Sequence, residues 1–345
     1  LAAAPYLARL AKSRSELLEA LSSRPLEQIF DAQCDAVVAA GCNAGDEAEL
    51  GRTLRQLKGD AHLTLALAEL SGALDVMQAA EALSRFADSC VRAALHGLVR
   101  LGVAEGKSEA CASPDDPVAG VFVLALGKLG AGELNFSSDV DLVAYYDPEL
   151  LRGPVAEEPG KRLPRLIKAL SRMLNEVTPD GYVFRVDLRL RPDPSATPPV
   201  LSITAAMNYY ESLGQNWERA AYIKARYCAG DAHAAADFLA AMRPFVWRRT
   251  LDYAAVEDIH SLARQIQAIG DRARIRAAGH ELKLGRGGIR EIEFYAQIPQ
   301  LVMGGRMRDL RIRSPYWALA SLAEAGVIDP EASTELAADY AFLRK

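Results

Sequence analysis

The sequence predicts an α+β fold in which a small mixed-sheet core lies between two helical regions. Apolar residues recur at helical spacing in the first and last thirds of the chain, whereas the middle holds short apolar runs and alternating stretches that are typical of strands. Half of the 345 residues are hydrophobic, which is enough to build ordinary globular cores.

The predicted organisation has four parts. Residues 1–106 are rich in Ala and Leu, and an apolar stripe at three-to-four spacing over 79–103 predicts a helical domain. Residues 107–117, with the sequence KSEACASPDDP, are polar and contain proline, as expected of a linker. The sheet core is placed at 118–202. A helical bundle follows at 203–345, and we expect it to be truncated at its C-terminus because the chain stops within a helical pattern.

The core opens with the sequence VFVLALGKLGAGELNFSSDVDLVAYYD at residues 121–147. An apolar strand runs into a glycine-containing turn, a short helical piece follows, and a second apolar strand opens with two aspartates. Residues 163–177 place apolar side chains on one helical face, and TPDG at 178–181 supplies a turn. The stretch 191–202 is too rich in proline for regular structure and is predicted to be a loop.

Asp139 and Asp141 are the first candidates for a functional site. Successive residues on a strand point to opposite faces, so these two share a face with their Cα atoms roughly 6.6 Å apart. Their carboxylates can converge on a pair of Mg²⁺ ions about 3.5–4 Å apart, which serves in-line displacement at phosphorus. The layout is that of a metal-dependent nucleotidyltransferase. An Asp-x-Asp pair alone is more often a strand edge beside a turn, and it is the surrounding pattern that favours the metal site.

A third carboxylate, Asp187, lies in the alternating stretch FRVDLRLR at residues 184–191, which predicts a half-buried strand with Asp187 and arginines on its polar face. Asp187 would complete the metal site. Arg189 and Arg191 would bind phosphate oxygens through planar, bidentate donors. The alternative is that Asp187 simply pairs with its arginine neighbours.

Composition excludes several classes of function. The formal net charge of −5 disfavours a protein that holds nucleic acid, because counterion release needs a basic surface. Five scattered cysteines without a CxxC pair indicate neither a zinc site nor a disulfide framework. No apolar run is long enough to span a membrane and the start lacks a signal-peptide pattern, so we expect no membrane association and a cytoplasmic location.

Four separated blocks carry a family resemblance: GKLGAGELNFSSDVDL, RVDLRLRP, NWERAAYIKAR and GGIREIEF. In this order and spacing they resemble the bifunctional glutamine synthetase adenylyltransferase/adenylyl-removing enzyme of bacteria, from about Leu63 onward. That family carries two related nucleotidyltransferase halves, and these blocks look like the amino-terminal half, which removes AMP. One departure is that the family commonly has a glycine soon after RLRP, where this sequence has Asp193 and Pro194.

The resemblance implies phosphorolysis, in which inorganic phosphate attacks the AMP phosphorus on a modified tyrosine and releases ADP. It implies Asp139, Asp141 and Asp187 as catalytic residues and as ligands of two Mg²⁺ ions. The implied partners are adenylylated glutamine synthetase, the uridylylated PII signalling protein, phosphate and adenine nucleotide. Two alternatives stay open: an ATP-dependent adenylyltransferase acting on glutamine synthetase, and a non-catalytic module that binds nucleotide or PII.

Further ligand contacts are expected around the glycine-containing turn and on a later helix. The turn should bind phosphate oxygens through its backbone and side chains, although glycine turns follow strands in many proteins. Its candidate residues are Gly127, Lys128, Gly130, Ser137 and Ser138.

The charged block after the core is predicted to be a helix whose charges are mostly solvated, with Lys224 and Arg226 kept as anion contacts. Its charged residues are Glu218, Arg219, Lys224 and Arg226. In the fourth block, Arg290, Glu291 and Glu293 are predicted to form structural or interfacial ion pairs after a glycine-rich helix entry.

Overall fold

The computed structural model describes most of the chain as two compact units. The described residues are 4–102, 119–152, 154–249, 281–283 and 285–344. The first unit comprises Leu1–Ala206 with Arg226–Phe238, and the second comprises Met207–Ala225 with Leu239–Lys345. The predicted linker at 107–117 lies outside the described residues.

Helices make up most of the described structure. In chain order they are α1 (Pro5–Ser13), α2 (Ser15–Ser23), α3 (Leu26–Asn43), α4 (Glu47–Leu70), α5 (Val76–Arg100), α6 (Gly127–Ala131), α7 (Pro154–Glu157), α8 (Pro159–Asn175), α9 (Ile203–Ser212), α10 (Asn216–Tyr222), α11 (Ala232–Ala241), α12 (Arg243–Val246), α13 (Ile289–Met303), a 3₁₀ turn (Arg308–Leu310), α14 (Pro315–Glu324) and α15 (Pro330–Arg344). No helix in the described ranges combines the length and the apolar character needed to cross a bilayer.

A five-stranded mixed sheet forms the centre of the first unit. Its strands are β1 (Val121–Leu126), β2 (Val140–Tyr146), β3 (Val186–Asp187), β4 (Val200–Ser202) and β5 (Arg226–Gly230). β1 pairs antiparallel with both β2 and β5, while β3 and β4 each pair parallel with β2. The predicted α+β fold, with a mixed sheet of the nucleotidyltransferase type and helical flanks, is confirmed.

β1 is the central strand, and its sequence explains why. All six residues of VFVLAL are buried, as expected of a strand that is covered on both faces. One apolar cluster joins Val123 of this strand to Phe86 of α5 and Leu170 of α8. The N-terminal helices, which the sequence analysis placed in a separate domain, therefore share a core with the sheet.

Three strands depart from the sequence prediction. β5 lies in the region predicted to be helical; its Cys228 and Ala229 are buried against β1, and a five-residue edge strand has too short a period to be read from sequence. β4 lies in the predicted loop. The stretch predicted as an eight-residue strand contributes only β3, because the Asp187 carboxylate accepts the backbone N–H of Arg189 at 2.8 Å and turns the chain away from the sheet.

The charged block of the second unit is buried, so its predicted solvation is wrong. Glu218, Arg219 and Lys224 are 1%, 0% and 5% exposed. The Arg219 guanidinium donates to the carbonyl of Phe245 at 3.0 Å, and burial lowers its pKa to about 10. Arg226 is not helical but opens β5 in the first unit.

The fourth block forms a helix as predicted. Gly288 precedes the first residue of α13, and Glu293 on this helix pairs with Lys224 at 2.7 Å. Glu291 accepts a hydrogen bond from the backbone N–H of Gly287 at 2.9 Å. The predicted ion-pair role is confirmed for Glu293.

The contact between α3 and α5 depends on a glycine. A Cβ added at Gly41 would lie 2.7 Å from the carbonyl oxygen of Ala93, whereas a Cβ at Gly160 of α8 would meet nothing within 4 Å. These two helical glycines therefore differ in the space beside them and provide a matched pair.

We expect Gly41→Ala to lower the free energy of unfolding and Gly160→Ala to leave it equal or raise it. Overpacking costs about 1–3 kcal/mol, which outweighs the roughly 1 kcal/mol that alanine gains over glycine within a helix. Urea unfolding followed by circular dichroism measures both variants. Equal effects of the two substitutions would contradict the close helix contact.

Candidate functional site

Two of the predicted aspartates face each other across neighbouring strands. In the parallel pairing of β2 with β3, Asp141 is the register partner of Asp187. Adjacent strands lie about 4.8 Å apart, so the two carboxylates leave the sheet side by side. Asp139 stands immediately before β2, at the same end. The structure thus brings the three carboxylates to one end of the sheet, which we call the acidic end.

Gly127 lies directly against the Asp141 side chain. Leu126, the last residue of β1, lies opposite Asp141 in the antiparallel register, and Gly127 follows with φ +54°. A Cβ at this position would lie 2.0 Å from Oδ2 of Asp141. Only glycine both adopts this backbone conformation readily and leaves space for the carboxylate.

The loop between α6 and β2 gathers the other predicted residues of the turn. The Lys128 ammonium donates to Oγ of Ser138 at 3.2 Å and to Oδ1 of Asn135 at 3.4 Å. Ser138 closes a turn through its backbone N–H to the Asn135 carbonyl at 3.0 Å. Ser137 is exposed beside it, and Gly130 is buried within α6. Lys128 and Ser138 are therefore in direct contact next to Asp139.

Arg185 is a site residue that the sequence analysis placed on the polar face without assigning it a role. Its Nε donates to Oδ1 of Asp139 at 2.6 Å, and its guanidinium also donates to the carbonyl of Ser137. Tyr182 lies at 3.3 Å from the same guanidinium, and the Lys58 ammonium from α4 lies 4.4 Å from the centroid of the Tyr182 ring. Burial lowers the pKa of Lys58 to about 8.

Arg185 and Lys58, neither of which the sequence analysis selected, differ in how far the sequence could have revealed them. The alternation that identified Asp187 also places Arg185 on its face, so that signal was available. Lys58 lies more than a hundred positions away on another element, and only the packing brings it near.

Arg189 clamps Asp187. Its Nε lies 3.0 Å from both carboxylate oxygens, and one terminal nitrogen lies 2.6 Å from Oδ2. Hydrogen bonding from this guanidinium lowers the pKa of Asp187 even though burial opposes the shift. The Asp187 side chain is 16% exposed and that of Arg189 is 81% exposed, so the guanidinium covers the carboxylate from the solvent side. The alternative pairing considered from sequence is thus present.

Two predicted anion contacts are engaged elsewhere. Arg191 donates to the carbonyls of Leu188, Pro194 and Thr197 at 2.7, 2.9 and 3.1 Å, so it braces the loop after β3. Lys224 belongs to the second unit, where its buried ammonium needs the carboxylate partner described above. Neither side chain supports the predicted phosphate contact.

The loop after β3 also contains the place where the family commonly has a glycine and this sequence has Asp193 and Pro194. Asp193 has φ +36°, and it is the one non-glycine residue with positive φ in the described part of the chain. Aspartate tolerates this left-handed region better than most residues. Asp193 thus adopts a backbone conformation that a glycine would also favour.

The acidic end was tested for its fit to Mg²⁺. Carboxylate oxygens are the ligands that Mg²⁺ prefers, and the register of Asp141 with Asp187 places two of them side by side. Among the described residues, however, no three acidic, histidine or cysteine side chains converge as a metal site. Two of the three carboxylates are paired with arginines instead, Asp139 with Arg185 and Asp187 with Arg189. Both arginine side chains are well exposed, at 45% and 81%, and the oxygen donors of the acidic end are of the type that suits Mg²⁺.

A mixed sheet with helical flanks, as described here, is the fold of a nucleotidyltransferase, and the aspartates lie at one end of that sheet. Comparison with known protein families agrees. The family model described as glutamate-ammonia ligase adenylyltransferase matches residues 1–241, and a PII-uridylyltransferase model matches residues 260–345. The chain belongs to the glutamate-ammonia ligase adenylyltransferase family.

Curated relatives named bifunctional glutamine synthetase adenylyltransferase/adenylyl-removing enzyme are similar over almost all of the chain. Identity is 49% with the protein of Caulobacter vibrioides, over 99% of this chain and 35% of that relative. It is 46% for Rhodopseudomonas palustris, over 99% and 35%, and 45% for Bradyrhizobium diazoefficiens, over 98% and 35%. The chain therefore spans about a third of the length of these relatives.

We expect Gly127→Ala to weaken divalent-cation binding by about 10–100-fold, the range for changes that misplace a metal ligand. The added Cβ would displace the Asp141 carboxylate. Gly132→Ala is the matched control, because Gly132 also has positive φ, +75°, but a Cβ there meets nothing within 4 Å. Electron paramagnetic resonance of Mn²⁺, as a substitute for Mg²⁺, measures free and bound cation. Equal losses in both variants would show that backbone strain alone is responsible.

We expect Arg189→Gln to raise the pKa of Asp187 toward the ordinary value of about 3.9 and to tighten Mn²⁺ binding, because a competing cation is removed. The folded-state pKa of Asp187 is depressed, so its pairing stabilises the fold above the unfolded-state pKa and this contribution is lost as pH falls through the folded value. Carboxyl carbon NMR measures the titration. Arg165→Gln, at an exposed position of α8, should change neither quantity.

Proposed function

We propose that this chain removes AMP from adenylylated glutamine synthetase by Mg²⁺-dependent phosphorolysis and releases ADP. The observation that carries the proposal is the in-register pair Asp141 and Asp187, with Asp139 at the same end of the sheet. The names of the curated relatives support glutamine synthetase as the substrate protein. The direction of the reaction is inferred from the resemblance of the four sequence blocks to the adenylyl-removing half.

The reaction requires two anions to meet. An oxygen of inorganic phosphate attacks the phosphorus of the AMP group, the bond from that phosphorus to the tyrosine oxygen breaks, and the tyrosine oxygen takes up a proton. Bound Mg²⁺ ions would supply neutralisation of the phosphate oxygens and hold the attacking and leaving oxygens in line. Asp139, Asp141 and Asp187 would hold these ions. Catalysis of this kind is mostly positioning and charge stabilisation.

The arginines give the acidic end a second role in this proposal. If the carboxylates of Asp139 and Asp187 held a metal ion, Arg185 and Arg189 would lose these carboxylate partners, while Arg185 would keep its hydrogen bond to the Ser137 carbonyl. Their guanidiniums would then be available to pair with phosphate oxygens in a bidentate manner. The charge of each arginine would thus move from a carboxylate to the substrate anion.

Lys128 and Ser138 would assist on the other side of Asp139. The ammonium and the hydroxyl are already in contact, so they present a positive charge and a donor next to the loop backbone. We include Ser137 and the backbone of Gly127 and Gly130 in this proposed phosphate-binding turn. Lys224 and Arg191 are left out because both are committed to protein partners.

The proposed partners follow from the same reasoning. Uridylylated PII is proposed as a regulator, supported by the similarity of residues 260–345 to a PII-uridylyltransferase model. Phosphate and adenine nucleotide are the proposed small-molecule reactants, and a cytoplasmic location is part of the same proposal.

The test is to incubate the purified chain with AMP-modified glutamine synthetase, Mg²⁺ and phosphate, and to measure ADP by chromatography. We expect ADP release that stops when the metal is chelated. Asp141→Asn and Asp187→Asn should each reduce the rate by about 10²–10³-fold, the usual effect of losing one group that stabilises transition-state charge. Asp180→Asn, the same change at an exposed turn, is the control.

Two outcomes would contradict the proposal. If the chain instead attaches AMP to glutamine synthetase with consumption of ATP, the direction is wrong and the adenylyltransferase alternative holds. If no metal-dependent turnover occurs in either direction while nucleotide or PII still binds, the chain is a non-catalytic module.

A further inference from the structure

The second unit contains a cavity of about 950 Å³ that the reaction proposed above does not use. Arginines and one tryptophan dominate its lining. They are Arg243, Arg249, Arg306, Arg308, Arg311 and Trp247. We propose that this arginine pocket binds a small anion that carries two or more phosphate groups.

The close packing of two backbone segments explains why the arginines line one cavity. Behind the C-terminus of α13, a Cβ at Gly304 would lie 2.6 Å from the Trp247 ring, and a Cβ at Gly305 would lie 1.9 Å from the carbonyl oxygen of Arg248. Two consecutive glycines therefore let this segment pack directly on the chain after α12. This packing brings Arg249, which follows α12, to the same cavity as the arginines that follow Gly305. Those arginines are Arg306, Arg308 and Arg311.

Two of the arginines are fixed by the protein through only part of their donor set. Nε of Arg306 donates to the Arg249 carbonyl at 3.2 Å, and Nε of Arg311 donates to the Gly304 carbonyl at 2.7 Å. Their terminal nitrogens make no hydrogen bond to any residue that the structure describes. Each guanidinium is thus oriented by one bond while its paired terminal donors stay available for an anion.

The described lining of the pocket carries positive charge only. No aspartate or glutamate from the described ranges lines the cavity. Burial lowers the pKa of Arg311, and repulsion from Arg308, Arg243 and Arg249 lowers it further. An anion among these guanidiniums would relieve that repulsion, which gives binding a favourable electrostatic contribution.

The chemistry of the lining favours phosphates over an aromatic base. Guanidinium groups match phosphate oxygens with planar, bidentate donors, and the cavity lies within the range of about 300–1,000 Å³ that is usual for small-molecule sites. The Trp247 ring already packs within the protein, so it does not offer a face for stacking on a base. The Arg311 guanidinium lies 5.6 Å from the ring centroid, and Gly304 packs on the ring. Recognition should therefore rest on the phosphate chain, so inorganic tripolyphosphate and a nucleoside diphosphate should both bind.

The experiment is isothermal titration calorimetry of the whole chain with sodium tripolyphosphate, ADP and adenosine. EDTA is present throughout, so that the acidic end cannot bind these compounds through a divalent cation. We expect tripolyphosphate and ADP to bind at one site, more weakly as salt is raised from low concentration, and adenosine not to bind. Arg243→Gln and Arg308→Gln should each weaken tripolyphosphate binding about tenfold.

The variants are chosen so that folding does not confuse the result. Arg243 and Arg308 are exposed, and neither side chain makes a hydrogen bond within the described part of the chain. Arg290→Gln removes the same charge from an exposed position on α13 and should bind as the unaltered chain does. Thermal unfolding of each variant, followed by circular dichroism, verifies that the unit remains folded.

Three results would overturn the proposal. The first is no saturable binding of tripolyphosphate. The second is equal weakening by Arg290→Gln, which would indicate a diffuse charge effect. The third is binding of an oligo-aspartate peptide without binding of tripolyphosphate, which would make the pocket a docking surface for an acidic protein segment. None of these outcomes bears on AMP removal, which is measured with metal present and at the other unit.

Discussion

The arrangement of the acidic end depends on the repulsion between carboxylates that the sheet register forces together. Asp141 and Asp187 leave adjacent parallel strands at the same level, and Asp139 stands beside them. Such a cluster needs positive charge. The structure supplies it from within the same short stretch, through Arg185 on one side of β3 and Arg189 on the other. The depressed pKa of Asp187 shows that this compensation outweighs the cost of partial burial.

This arrangement gives the three carboxylates different freedom. Asp141 is confined by the backbone at Gly127, where no side chain would fit, so its position is set by the fold. Asp139 and Asp187 are held by exposed arginines, so their positions depend on which cation they meet. In the proposed reaction, one fixed carboxylate with two arginine-paired neighbours could hold a metal ion without a change of fold. Arginine pairing would then stabilise the carboxylates whenever no metal ion is bound.

Sequence reasoning succeeded where a residue pattern determines structure locally. The unbroken apolar run of β1 predicts a buried strand, and the one-sided apolar face of α8 predicts a helix. The Asp-x-Asp pair lies at the start of β2, as predicted. It failed where tertiary pairing decides. β5 is a strand only because β1 offers an edge, and the alternation around Asp187 ended after two paired residues because side-chain hydrogen bonds turned the chain. Burial of Lys224 was equally invisible, since its partner Glu293 comes from a distant position.

β3 and β4 have an unusual relationship, since both lie along the same side of β2, one at its start and one at its end. The chain leaves this side after Asp187 and returns to it at Val200, with the arginine-braced loop between. Each attachment is fixed by its own pairing with β2, so the length of the intervening segment is not coupled to the position of either strand. Residues 192–198 are thus positioned by the hydrogen bonds of Arg191 rather than by strand pairing, so the shape of this surface loop can change without a change in either attachment to β2.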